Sequence, residues 1–156
     1  MQILRLDQEK SPGTYVLLLR NPRRQQIQVG SLGLCDFVRG WYLYVGSAFG
    51  PGGVAARCRH HRQISPRPRW HIDYLRAATQ LRQIWYSHDP LHREHQWAGL
   101  LGESLGLGQP IAGFGSSDCD CGSHLFVSVV KPDWKTFAAF AGKCLANQQV
   151  INCENV

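Results

Sequence analysis

The sequence predicts a single α+β domain in which short antiparallel strands come first and helices follow. Three observations carry this. At 156 residues and 44% hydrophobic content, the chain suits one compact core and is short for two. Its first third holds apolar-rich runs of strand length, separated by turn residues. Beyond the glycines and Pro51 come segments rich in helix formers and bounded by proline and glycine.

The first strand is expected at Thr14 to Arg20 and is closed by the turn residues Asn21-Pro22; a second lies near Gln26 to Gly30 and a third from Trp41 to Gly46. Together they read as an antiparallel meander. The run "VAARCRHHRQ" has no breaker and predicts a helix of about three turns, starting at or just after Pro51 and ending before Ser65-Pro66. "WHIDYLRAAT" reads as a second short helix and "LRQIWYS" as a strand. Asp89-Pro90 prepares a helix over "LHREHQWAGLLGESLG" that stops at its glycines. "GQPIAGFGSSDCDCGS" is expected to be loop and "HLFVSVV" the last strand. Asp133 is placed to cap a final helix, whose Phe137, Phe140, Ala141, Cys144 and Leu145 recur at helical spacing as a stripe for core packing.

Lys and Arg number 17 against 11 Asp and Glu, a formal charge of +6, which favours a polyanionic partner. The excess is concentrated. Arg57, Arg59, Arg62, Arg67 and Arg69 fall in one run with His60 and His61 and no acidic residue. A solvated basic surface is the plain reading of such a run, but the choice of Arg, whose planar fork matches phosphate, turns it toward phosphate binding. "MQILRLDQEKSPG" lacks a signal-peptide arrangement, and no stretch approaches the ~20 apolar residues of a membrane span, so a soluble, cytoplasmic protein with no membrane partner is expected. Six scattered cysteines lack the density of a disulfide scaffold, which predicts reduced thiols.

Two tyrosines stand beside glycines, in Gly13-Thr14-Tyr15 and Tyr44-Val45-Gly46. Each alone is an ordinary strand residue. If the first and third strands pair, however, the phenols of Tyr15 and Tyr44 meet, and Gly46 lets another group approach the backbone closely. On the basic helix Arg57 and His61 share a face, a guanidinium and an imidazole suited to phosphodiester chemistry, while Arg59 and Arg62 lie on other faces. The alternative is two solvent-exposed polar residues on a surface helix.

Glu94 is either a helix N-terminal residue favoured by the dipole or a single carboxylate of the kind that holds Mg²⁺ against a phosphate. Cys119, Cys121 and His124 invite a zinc reading, but the Cys-x-Cys spacing is tighter than usual and no fourth ligand adjoins, which weighs against it. Asp118, Ser123 and His124 are read instead as a polar loop delivered near the site. His71 and Asp73 in "WHIDYL" are read as cap or packing residues in preference to lining the cleft.

With these residues in this order, the chain resembles the GIY-YIG nuclease superfamily. Gly13-Thr14-Tyr15 and Tyr44-Val45-Gly46 correspond to its two named motifs, Arg57 to its helix arginine, His61 to a histidine or tyrosine four residues on, and Glu94 to its metal-binding glutamate. "YVGSAFGPGG", "WHIDYL" and "GFGSSDCDCGSHLF" are similar to a small branch found alone or fused to endonuclease III-like proteins. The resemblance spans residues 13–130 of a single 1–156 domain, with a helix at 133–147 packing on the core.

The resemblance implies a small, mainly antiparallel sheet flanked by helices, and metal-dependent endonuclease hydrolysis of phosphodiester bonds in DNA. Mg²⁺ or Mn²⁺ would be held by Glu94, with Tyr15, Tyr44, Arg57, His61 and Glu94 as the catalytic set. Gly46, Arg59, Arg62, Ser123 and His124 are assigned to substrate, and DNA or another nucleic acid, together with a repair protein, to partners. For either tyrosine to act as a base, the basic helix must lower a phenol pKa from its usual value of about 10. The sequence departs from the family in the long interval between its tyrosines, which the strand around Gln26 to Gly30 would fill, and in lacking an asparagine soon after Glu94. The alternative function is a non-catalytic nucleic-acid-binding module acting with a partner enzyme.

Overall fold

The computed structural model describes residues 10–116 and 122–156. Its centre is β1 (Gly13–Asn21), whose run Thr14 to Leu19 is buried without alternation. A strand can be apolar on both faces only where both are covered. Here both are. β1 pairs antiparallel with β4 (Gly40–Ala48) on one side and with β5 (Gln80–Ser87) on the other. β6 (Leu125–Ser128) extends the sheet beyond β4 and β7 (Asn152–Asn155) beyond β5, giving the order β6-β4-β1-β5-β7 with every pair antiparallel.

Tyr15, Leu17 and Leu19 of β1 point to one face, with Val54 and Cys58 of α1 (Gly53–Arg62) and Ile72 and Leu75 of α2 (His71–Ala78). Val16 and Leu18 point to the other, with Trp97 of α3 (Glu94–Gly99), Leu100 and Leu101 of the π-turn that continues it (Leu100–Ser104), and Phe137 and Ala141 of α4 (Trp134–Cys144). The molecule is thus an α+β domain with an antiparallel sheet between two helical layers.

The expected meander is not formed. β2 (Gln25–Gln28) turns back on β3 (Leu34–Phe37), a strand the sequence reading missed, and the two make a separate hairpin. The reason lies in composition: "QQIQ" carries one apolar residue and could not stand between buried strands, whereas β4, "GWYLYVGSA", is apolar on both faces and takes that place. The long interval between the tyrosines is therefore filled by this hairpin, which buries Cys35 and Phe37 against the α1–α2 face.

Other differences are local. "HLFVSVV" is not the last strand, because polar β7 follows it and is held at the sheet edge by backbone pairing with β5. The α3 helix begins at Glu94 rather than Leu91, since Asp89 accepts the Leu91 N–H at 3.0 Å and holds that stretch in a turn. Along α4, Phe137 and Ala141 are buried as expected, but Cys144 is exposed. Asp133 occupies the N-cap position of α4, where its carboxylate accepts the Thr136 hydroxyl at 3.1 Å. Among the described residues, no helix is long and apolar enough to cross a membrane, and Cys35, Cys58, Cys144 and Cys153 are free thiols.

Candidate active site

The β1–β4 register sets Tyr15 opposite Gly46 and Leu17 opposite Tyr44, so both phenols lie on one face of the sheet, one step apart on neighbouring strands. They line a cleft of about 220 Å³. A Cβ on Gly46 would stand 2.3 Å from Cζ of Tyr15, so the group that Gly46 admits to its backbone is the Tyr15 ring itself. A Cβ on Gly13 would stand 2.0 Å from the Ser87 carbonyl oxygen of β5. Both motif glycines are thereby explained by packing beneath the site.

The loop at Gly52 and Gly53, with φ of +81° and +60°, swings the chain from β4 into α1. That helix brings its basic residues to the sheet in two different states. His61 is 1% exposed, and its Nε2 lies 2.7 Å from the Tyr15 hydroxyl. Arg57, one turn earlier, lines the cleft with its guanidinium 4.3 Å from the centre of the Trp70 ring, a cation–π contact that holds the charge there. The pair is therefore not two exposed polar residues on a surface helix. One is a wall of the cleft and the other is buried behind it.

Burial decides the protonation of this group. It raises the pKa of Tyr15 well above the ordinary phenol value, as do Tyr44 and Cys58, and outweighs the lowering by Arg57. Tyr44 is pushed up in the same way. The expectation that the basic helix would depress a tyrosine pKa is corrected here: the same sheet that aligns the phenols removes them from water, and desolvation opposes the phenolate. His61 is lowered to about 3, first by burial and then by His60, so its ring is neutral at physiological pH. Nδ1 of His61 is buried without a hydrogen-bond partner.

Glu94, the first residue of α3, faces the cleft from the other side of the sheet end. Its Oε1 lies 2.7 Å from Nδ1 of His124, which is 2% exposed and sits just before β6. His124 therefore orients the carboxylate rather than facing substrate directly. One hard oxygen donor oriented by a histidine in a half-open polar cleft fits a divalent ion that keeps most of its water.

The cleft is completed by Ser47 and Gly115 and by three successive residues at the start of α2, Arg69, Trp70 and His71. None of these five was assigned to the site from sequence. The signal was present in "WHIDYL", where an aromatic and a histidine open a helix after a proline-rich turn. Of its two polar residues, His71 lines the cleft, while Asp73 is a cap: its Oδ2 accepts the N–H of Arg69 at 2.9 Å and of Trp70 at 3.1 Å. Asp73 Oδ1 pairs with His60 at 2.8 Å. His60, His61 and Asp73 could offer a metal one ligand atom each within 4.8 Å of one another, yet capping and ion-pair bonds already engage Asp73 and His60 Nε2, and the Tyr15 bond engages His61 Nε2.

The remaining assignments lie elsewhere. Arg59 is exposed, and Arg62 pairs with Glu154 of β7. Ser123 is buried, its hydroxyl donating to the Leu125 carbonyl at 3.2 Å and accepting the Leu125 N–H at 3.0 Å, and it lines a second cavity beside His95 and Gln109. Asp118, Cys119 and Cys121 lie outside the described residues.

The family model described as "Domain of unknown function DUF123" matches residues 14–144. No match was found among curated proteins or among solved structures.

Proposed function

This chain belongs to the DUF123 family, and we propose that its cleft is a GIY-YIG-type endonuclease site, hydrolysing phosphodiester bonds in DNA with Mg²⁺ or Mn²⁺. The observation that carries the reading is convergence: Tyr15, Tyr44, Arg57 and Glu94, from four different elements, line one cleft, and His61 is bonded directly behind Tyr15. Arg57, held over the Trp70 ring, offers a positive fork to a phosphate oxygen and to the charge that builds as water adds to phosphorus. Tyr15 stays neutral. It orients the attacking water and takes a proton from it while passing its own to Nε2 of His61. Burial and His60 disfavour the imidazolium so formed, so it is transient, and the nearby Asp73 carboxylate offsets part of that cost.

Glu94, oriented by His124, would hold the ion, which when bound supplies Lewis-acid polarisation of the phosphate and eases departure of the leaving oxygen. DNA is the polyanion that a charge of +6 and this cleft suit, with a repair protein as the partner the resemblance implies.

The test is nicking of supercoiled plasmid by the purified chain in Mg²⁺ or Mn²⁺ against EDTA. Nicking is expected only with metal and is expected to vanish in both Arg57→Ala and Glu94→Ala, with circular dichroism unchanged. Nicking that survives both substitutions overturns the mechanism. Salt-sensitive DNA binding without nicking in the wild type would replace it with a non-catalytic binding module.

A further inference from the structure

We propose that His71 is a neutral hydrogen-bond donor to the substrate phosphate, its Nε2–H placed by a backbone contact from Gly115. The inference rests on the nuclease reading for the identity of the substrate, but its geometry stands apart from the tyrosine, arginine and glutamate set.

The backbone N–H of Gly115 lies 2.9 Å from Nδ1 of His71. An amide N–H can only donate, so Nδ1 must be the accepting, unprotonated nitrogen, and the ring proton resides on Nε2. The ring is also held in place by its neighbours. Phe114, fully buried, packs against it with ring centroids 5.6 Å apart, and also against Tyr44 at 6.2 Å. Gly115 has φ of +69°, and a Cβ there would come within 2.8 Å of the Tyr44 ring. The Phe114-Gly115 turn thus sets the spacing between Tyr44 and His71, two walls of the same cleft.

Protonation of His71 is disfavoured on three counts. Its partial burial lowers the pKa from the usual histidine value, and the imidazolium would have to carry a second N–H facing the Gly115 amide hydrogen. His71 also opens α2, where the helix dipole opposes added positive charge. A neutral imidazole with a fixed N–H can polarise an oxygen without giving up its proton, the electrophile role known for a histidine at a helix N-terminus in triosephosphate isomerase. No proton is transferred in this step. The Nε2–H···O contact strengthens as negative charge gathers on a non-bridging phosphate oxygen, complementing Arg57, which packs on the neighbouring Trp70.

The test uses the full chain in two measurements. Long-range ¹⁵N–¹H correlation spectra in EDTA are expected to show His71 as the Nε2–H tautomer, with the Nε2 resonance moving when a short oligothymidylate is added. In plasmid nicking, His71→Phe keeps the packing against Phe114 but lacks the donor. It is expected to lower kcat roughly 100-fold with little change in KM, and His71→Gln, whose amide restores a donor, is expected to recover part of the loss. An Nδ1–H tautomer, an Nε2 resonance that oligothymidylate leaves unmoved, or a His71→Phe variant with wild-type kcat overturns the proposal. If the wild type nicks normally and His71→Phe matches it, this inference alone falls. If the wild type does not nick but Nε2 responds to the oligonucleotide, the phosphate contact stands and the nuclease reading falls.

Discussion

The Tyr15 hydroxyl lies 2.7 Å from Nε2 of His61, across 46 positions of sequence, and both residues are all but sealed from solvent. Residues joined by one proton path act as a unit, so their losses are not additive. Tyr15→Phe and His61→Gln are each expected to slow nicking roughly 100-fold, and the double variant is expected to be no slower than the worse single one. Rates for the four proteins under matched metal and salt check this; losses that multiply would mean that the two residues work independently.

The motif glycines lead to a second prediction, about stability. Gly13 faces a backbone carbonyl of β5 that cannot swing aside, so Gly13→Ala is expected to cost about 1–3 kcal/mol in denaturant unfolding. Gly46 faces the Tyr15 ring, which can move, so Gly46→Ala is expected to cost less stability but to displace the phenol and halt nicking. Combining it with Tyr15→Ala removes the clash. Gly46→Ala is therefore expected to cost less stability in a Tyr15→Ala background than in the wild type, although Tyr15→Ala itself leaves a destabilising cavity and an inactive protein.

Acid sensitivity follows from His61. Its folded pKa of about 3 lies below the free value of 6.5, so between those pH values the unfolded chain takes up a proton that the folded chain refuses. Stability is therefore full above pH 6.5 and falls as the pH drops through the window, by at most roughly 1.4 kcal/mol per pH unit for one proton. His71, lowered in the same direction, adds to this. Asp73 and Asp89 act lower down. Burial raises both, but backbone N–H donors and their His60 and Arg93 partners outweigh it, so their contribution is lost only as pH falls below 3.8. Denaturant titrations across this range are expected to show a shallower decline between pH 6.5 and 4 for His61→Gln than for the wild type.

The buried pair Asp89–Arg93 ties the C-terminal segment to the start of α3. Asp89 Oδ2 accepts Arg93 Nε at 3.2 Å and the Gln149 N–H at 3.0 Å, and Arg93 Nη2 donates to the Ala146 carbonyl at 2.7 Å. With Asp89 and Arg93 1% and 2% exposed, Asp89→Ala strands a charge in the interior. It is expected to cost about 3–5 kcal/mol. Unfolding midpoints measure the loss, and hydrogen exchange at Gln149 is expected to accelerate in the same variant.

Much of this organisation is legible in the order of residues. β1, β4, β5, α1 and α2 lie close to where apolar patterning and breakers put them, because those signals report burial on one or two faces. Tyr15 and Tyr44 were expected to meet if their strands paired, and the register brings them to one cleft. β3 and β7 escaped notice for a physical reason. One is a four-residue strand in a small hairpin, and the other is a polar edge strand recruited by backbone hydrogen bonds, which leave no mark on side-chain pattern.

The site divides along the same line. The kinds of chemistry available, two phenols, a guanidinium, an imidazole and a carboxylate in sequence order, belong to the sequence alone. Their states do not. Whether a phenol is poised to ionise depends on how much water its neighbours exclude, and here burial overrides the positive field of α1. Likewise His71 became a wall of the cleft, with its tautomer set, only because the turn at Gly115 folds back to give it an N–H. Local pattern chose the groups and the elements that carry them. Tertiary packing decided which of those groups share a cleft and which nitrogen or oxygen holds each proton, because desolvation and hydrogen bonding act between residues that the sequence keeps far apart.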